Sequence, residues 1–194
     1  MSKAERTRAF IIEKTAAIFN KKGFAGTSLN DMTEATGLTK GSIYGNFANK
    51  DEVALAVFEH NLKKLNTAVT AQFAKECSAK NKLMVYANHY ELLLSAPFSE
   101  GGCPILNTAI EADDTHPQLR KKAAEAVLSW KNKLIQLINE GVANREFKTE
   151  VNPEQLALTM IALIEGGIML GKLLGDNQQL VCVLDTMKKM IEES

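Results

Sequence analysis

Apolar residues recur at steps of three and four along almost the whole chain, and nowhere do they alternate over a useful length. Steps of three and four put side chains on one face of an α-helix, whereas a half-buried strand needs a step of two. The chain is therefore predicted to be all-α. From Glu5 to Lys22 the apolar set is Phe10, Ile11, Ala16, Ile18 and Phe19, and Gly23 stands where a C-terminal stop belongs. Thr27 and Ser28 precede Leu29, Met32 and Thr36, a short helix they can cap, and Gly37 ends it. Ile43 and Phe47 lie four residues apart, on one face of a third short helix. Asn49 and Glu52 have the form of a capping box that opens a long helix marked by Leu55, Phe58, Leu62, Leu65, Val69 and Phe73.

Leu83, Tyr86, Tyr90 and Leu93 continue the period as far as Pro97, and Gly101, Gly102 and Pro104 then mark a turn and a new helix start. Thr115 and Pro117 repeat that signal before Leu119, Ala123, Val127, Trp130, Leu134 and Leu137, a helix ending near Gly141. Pro153 opens a further helix to about Leu174, and a last one carries Leu180, Val183, Leu184, Met187 and Ile191. With 194 residues, 45% of them hydrophobic, the chain can bury a real core. Its longest apolar stretch, Leu156 to Leu174, is interrupted by Glu165, Lys172 and three glycines, so neither a membrane span nor a signal peptide is expected. Cys77, Cys103 and Cys182 show no paired spacing, and His60, His89 and His116 share no metal-ligand spacing. The expectations are a cytoplasmic protein, no disulfide, no metal and no cofactor.

The net charge of zero hides an asymmetry: residues 1 to 50 hold eight Lys or Arg against four acids, leaving 15 against 19 for the rest. A basic head on an acidic body suits a polyanion partner, and equally a bland solvated face. Two short helices joined through Gly37 and Leu38, backed by a longer first helix, have the form of a helix-turn-helix unit. On a helical wheel Gly41 and Gly45 fall opposite Ile43 and Phe47, flanked by Ser42 and Tyr44. Interior glycines cost a helix about 1 kcal/mol each, and close approach to a DNA backbone or groove floor is one reason to keep them. Thr39 and Lys40 could then reach phosphates from the helix start. The plainer alternative is a glycine-containing loop over residues 39 to 47, with Tyr44 an ordinary half-buried aromatic.

The run from Ile11 to Phe58 resembles the DNA-binding head of the TetR family of bacterial transcriptional regulators. Gly23-Phe24, Thr27-Ser28-Leu29, Gly37-Leu38-Thr39-Lys40-Gly41-Ser42, Tyr44, Phe47 and Lys50 match in order and spacing. The resemblance implies a homodimer with about nine helices per chain. A helix-turn-helix DNA-binding domain, residues 1–49, would be joined by a long helix to a helical ligand-binding and dimerisation domain, residues 50–194. Such proteins bind palindromic double-stranded operators and usually repress until a small molecule enters the C-terminal domain. Position by position, the resemblance places Thr27 or Ser28 and Lys50 on phosphates, and Thr39, Lys40, Gly41, Ser42 and Tyr44 in or beside the major groove. Gly45 and Asn46 complete the candidate DNA-facing set, although the family often has an aromatic residue or His at each.

Gly101 to Arg120 is similar to a branch of the family whose sixth helix starts Gly-Cys-Pro. A ligand cavity is expected among Tyr86, Tyr90, Phe98, Asn107, Glu111, Trp130 and Met160, which combine aromatic walls with few polar anchors. For each of them, core or surface packing is the alternative. Cys103 beside the sixth helix start would have a lowered thiol pKa there, suiting a redox sensor, a further ligand contact or plain packing. An all-helical enzyme with Cys103 as nucleophile is the alternative function, without an identifiable Cys/His pair or carboxylate dyad to support it. Gly166, Gly167 and Gly171 would permit close helix crossing at a dimer surface, with Val183, Leu184, Met187 and Ile191 as a second apolar face. The same glycines could instead serve packing within one chain.

Overall fold

The computed structural model describes residues 1–93 and 101–194, and among them the secondary structure consists of helices with no strand. In chain order these are α1 (Lys3–Gly26), α2 (Leu29–Thr36), α3 (Lys40–Tyr44), α4 (Lys50–Phe73), α5 (Ala79–Leu93), α6 (Pro104–Ala112), α7 (Pro117–Ala143), α8 (Pro153–Leu174) and α9 (Gln178–Glu193). The all-α expectation holds. The chain divides into two compact units, residues 1–65 with 103–124 and residues 66–102 with 125–194. The first unit therefore extends beyond the N-terminal 49 residues to take in α6.

In the first unit α1 packs on α2 and α6, and α2 on α3. Ile11, Phe19, Met32, Ile43, Phe47, Val53 and Val57 form its core. Ser2 and Glu5 make a capping box at the start of α1, and Ser28 and Asp31 make another at the start of α2, each satisfying backbone N–H groups that a helix start leaves without partners. Gly37 closes α2 in the left-handed conformation, φ 67°, which a glycine adopts without a Cβ penalty. At α4 the anticipated box is displaced. Asn49 Oδ1 accepts from the Glu52 N–H at 2.9 Å, but the Glu52 carboxylate accepts from the Ala48 N–H at 2.7 Å.

The second unit is built on α9, which packs against both α8 and α5. Leu180, Leu184, Met187 and Ile191 form the buried stripe of α9, and α8 buries Leu156, Met160, Ile164, Gly167 and Gly171. A Cβ on Gly167 would come within 2.6 Å of Leu180 and 3.4 Å of Val183. The close crossing anticipated at Gly167 and Gly171 is thus made between α8 and α9 of one chain. Leu184, Met187 and Ile191 are fully buried there, a correction to their placement on a dimer surface, whereas Val183 is half-buried. Periodicity identifies an apolar stripe without saying which helix covers it. A different stripe on α8 stays uncovered: Leu158, Ala162, Met169 and Leu173 are exposed and fall within about 60° on the helical wheel. By length and composition α8 could cross a membrane, yet it buries seven residues inside this unit.

The end of α7 is joined to the start of α5. The Glu146 carboxylate accepts from the Lys80 N–H at 2.8 Å, and its pKa lies below the ordinary carboxylate value chiefly because of that bond. Phe147 folds back over Gly141, where a Cβ would overlap its ring. Gly141→Ala is expected to destabilise the protein by about 1–3 kcal/mol through overpacking. Chemical denaturation with the slope unchanged measures this, and a wild-type midpoint would show that the ring yields freely.

Candidate nucleic-acid interface and ligand site

The third helix is only five residues long, and its register depends on its surroundings. Thr39 caps it, its Oγ1 accepting from the Ser42 N–H at 3.2 Å, and Gly45 and Phe47 extend the turn through N–H bonds to Gly41 O and Ile43 O. Ile43 and Phe47 are buried, whereas Thr39, Lys40, Gly41 and Gly45 are exposed and Ser42, Tyr44 and Asn46 half-buried. The two glycines thus lie on the outer face, as the wheel predicts. A Cβ on Gly41 would meet only Thr39 Oγ1, at 3.9 Å. The fold therefore does not itself require glycine there.

Arg8, which sequence periodicity did not single out, secures this segment from α1. Its guanidinium donates to Asn46 O at 2.6 Å, pairs with Glu52 Oε1 at 2.5 Å and lies 3.9 Å from the Phe47 ring centroid. The Ala48 N–H and, after it, Arg8 hold the Glu52 carboxyl below the usual carboxylate pKa. Asn46 donates through Nδ2 to Ser42 O at 2.8 Å, so its amide nitrogen is engaged within the head. At α2, Lys22 pairs with Asp31 at 2.5 Å; together with the Ser28 N–H and hydroxyl it depresses the Asp31 pKa strongly.

Ser28 is exposed. Thr27 is fully buried and donates to Gly23 O at 2.6 Å, which corrects its placement on a phosphate: its hydroxyl closes the turn between α1 and α2. Lys50 is half-buried, its Nζ 4.4 Å from the Phe24 ring centroid.

The anticipated ligand residues fall into both units. In the second, Tyr86 and Tyr90 flank Trp130, with centroid separations of 6.0 and 6.2 Å. Phe73 and His89 extend this ring cluster at its two ends, edge-on to Tyr86 and Tyr90 respectively. All four of Tyr86, His89, Tyr90 and Trp130 are more than nine-tenths buried, and His89 Nε2 and Trp130 Nε1 have no hydrogen-bond partner among the described residues. Burial raises the Tyr86 pKa to about 12 and lowers that of His89, which favours the neutral imidazole. His89 was not among the anticipated ligand residues; its signal is its position one residue before Tyr90 on an aromatic helix. Met160 is fully buried core. Phe98 lies outside the described residues.

Asn107 and Glu111 belong to the first unit, where both help line a pocket with Phe19, Asn20, Phe24, Asn61 and Leu119 and both are hydrogen-bonded to α1; they do not join the ring cluster of the second unit. Asn107 Nδ2 donates to Asn20 O at 2.9 Å, and the two Glu111 carboxylate oxygens accept from the N–H groups of Phe24 and Ala25 at 2.7 and 2.8 Å. Cys103 is buried at the N-cap of α6, where its thiol makes no capping bond. That burial gives no support to a catalytic nucleophile. Among the described residues no group of three or more His, Cys, Asp or Glu could hold a metal.

A short helix with an exposed, glycine-lined face, capped and held by a second short helix, defines a helix-turn-helix DNA-binding transcriptional regulator. Comparison with known proteins agrees. Residues 11–57 match the family described as bacterial regulatory proteins, tetR family, and residues 79–187 match the tetracyclin repressor-like C-terminal domain. The chain belongs to the TetR family. A TetR-family regulator from Cytophaga hutchinsonii is 45% identical with a TM-score of 0.91, the match covering 98% of this chain and 96% of that one. One from Chloroflexus aurantiacus is 34% identical with a TM-score of 0.93 at the same coverage. The HTH-type transcriptional regulator TtgR of Pseudomonas putida is 29% identical over 184 residues, 92% of this chain and 86% of TtgR.

Two predictions follow from these sites. Gly41→Leu should leave thermal stability at or above wild type, because the added side chain points into open space and glycine is a poor helix former, while DNA affinity in gel-shift titration falls at least tenfold. Normal affinity would remove the close-approach role of this face. The second concerns pH. The unfolded chain binds a proton at His89 near 6.5 and the folded chain only lower, so stability should be lost as pH falls below 6.5. Denaturation midpoints between about pH 7.5 and about pH 5.5 measure the effect, and His89→Phe should flatten the decline.

Proposed function

We propose that this regulator is a repressor that occupies a palindromic operator as a homodimer and leaves it when a small molecule binds the ring cluster around Trp130. The observation that carries the ligand half of this reading is the pair of buried polar atoms, Trp130 Nε1 and His89 Nε2, that lack partners among the described residues. Buried polar groups are ordinarily hydrogen-bonded, and one left without a partner costs about 1–3 kcal/mol. A planar, largely apolar molecule carrying a hydrogen-bond acceptor would satisfy Trp130 Nε1 and stack on the rings. The neutral imidazole favoured at His89 suits an uncharged ligand.

The DNA half rests on the exposed set Ser28, Thr39, Lys40, Gly41 and Gly45, with Ser42, Tyr44, Asn46 and Lys50 beside it. Ser28, Lys40, Ser42, Tyr44 and Lys50 supply donors for phosphates, and the two glycines let the backbone approach the groove. The excess of basic residues in the first 50 positions favours the same polyanion. In this reading residues 1–49 bind DNA and residues 50–194 bind ligand and pair the chains. The stripe Leu158, Ala162, Met169 and Leu173 is the proposed pairing surface: it is exposed and apolar apart from the half-buried Glu165 at its middle, and a second copy related by a two-fold axis would cover it against its own equivalent. A soluble dimer of this kind works in the cytoplasm.

Duplexes selected by the protein from a random-sequence pool, and then titrated with planar aromatic amides, phenols and ketones, test the reading. Two chains per palindromic duplex, affinity falling steeply with salt and release by at least one of these compounds are expected. Trp130→Phe should weaken that release, because the N–H donor and part of the stacking surface are lost, while leaving ligand-free DNA affinity within about twofold of wild type, since an aromatic ring remains in the cluster and Trp130 is not among the DNA-facing residues. A protein that selects no duplex, or a compound that releases Trp130→Phe as readily as wild type, overturns the corresponding half.

A further inference from the structure

The first helix is broken at Gly23, whose φ of 72° and ψ of −178° lie outside the helical region in a conformation that only glycine adopts readily. A straight helix would pair the N–H of Phe24 with the carbonyl of Asn20, four residues back. Here each of those two groups carries a side chain of α6: Asn107 Nδ2 donates to Asn20 O, and Glu111 Oε2 accepts from the Phe24 N–H. The second carboxylate oxygen of Glu111 takes the next amide, that of Ala25. Asn107 and Glu111 are themselves one helical turn apart, so one turn of α6 is set against one turn of α1. Glycine is needed at 23 twice over, because a Cβ there would also stand 2.6 Å from the Glu111 carboxyl carbon.

The break leads directly into the DNA-facing segment. Thr27 hangs from Gly23 O and is followed by Ser28, which caps α2. Phe24, immediately after the break, packs edge-on against His116 at 4.6 Å, and His116 Nε2 lies 2.9 Å from Asp51 at the start of α4. The Leu119 N–H donates to His116 Nδ1, which leaves Nε2 as the protonated nitrogen facing Asp51.

We infer that Glu111 and Asn107 are positioning residues for DNA recognition: by filling the break in α1 they fix the direction of the turn into α2 and make the placement of the helix-turn-helix on DNA depend on α6. This inference rests on the DNA-binding reading. Loss of the clasp would free the head to take several directions. In a dimer the two heads would then tolerate a wider range of half-site separations and hold the best one less firmly.

The test uses duplexes selected by the wild-type chain from a random pool, rebuilt with the half-sites moved one or two base pairs closer together or further apart. Wild type should show a steep optimum. Glu111→Gln and Asn107→Ala should lose at least tenfold in affinity at that optimum and show a flattened spacing profile, with the salt dependence unchanged because the phosphate contacts are the same. Wild-type affinity, or a loss equal at every spacing, overturns the inference and leaves the clasp a matter of stability only. Amide hydrogen exchange of the wild-type chain covers the case in which a variant does not fold: slow exchange at Phe24 and Ala25, slowed further on DNA, supports the clasp, and exchange at unprotected rates overturns it. A wild-type chain that selects no duplex refutes the DNA-binding reading, and the exchange rates of the free chain still judge the clasp separately.

Discussion

A third helix of five residues cannot hold itself. Helix formation is unfavourable until several turns have accumulated, and α3 has little more than one. Its shape is imposed from outside: Ile43 and Phe47 drive one face into the core of the first unit, Thr39 closes the front, and Arg8 reaches from α1 to the Asn46 carbonyl and Glu52. The outer face is thereby relieved of any structural task. It can carry glycines that would weaken an independent helix, and those glycines leave backbone open to a partner.

The same economy of covering governs the second unit. The small residues of α8 let α9 lie close, and the buried stripe of α9 fills the space between α8 and α5. With one face of α8 used in this way, its apolar residues at Leu158, Ala162, Met169 and Leu173 stay exposed among the described residues. One helix is asked to be apolar on two faces, which is why its composition alone approaches that of a membrane span.

Helix order and most helix ends could be read from residues whose effects are local. Gly37 and Gly175 take left-handed conformations at helix ends, Pro104, Pro117 and Pro153 stand at helix starts, and Ser28 caps its own helix. The outward position of Gly41 and Gly45 followed from a wheel, because one helix turn is enough to fix it. What could not be read depends on contacts between residues far apart in sequence. Thr27 has the chemistry of a phosphate donor and is buried, and Glu111 has the chemistry of a ligand anchor and is engaged 86 and 87 positions away. Arg8 resembles any other base in an amphipathic helix until Asn46 and Glu52 are brought to it. Gly167 and Leu184 are of the right type for a contact surface, but periodicity does not say whether α9 or a second chain covers them.

Gly23 and Glu111 also bear on how such a chain can vary and be rebuilt. Any side chain at 23 would press on the carboxylate at 111, and a change at 111 would strand two amides beside 23, so the two positions form one heritable unit despite their distance in sequence. Drift at either should therefore be followed by a compensating change at the other. A graft of the N-terminal 49 residues onto another regulator would leave behind the helix that completes them, and transplantation of the head should succeed only when α6, or an acid presented by the recipient at the same place, travels with it.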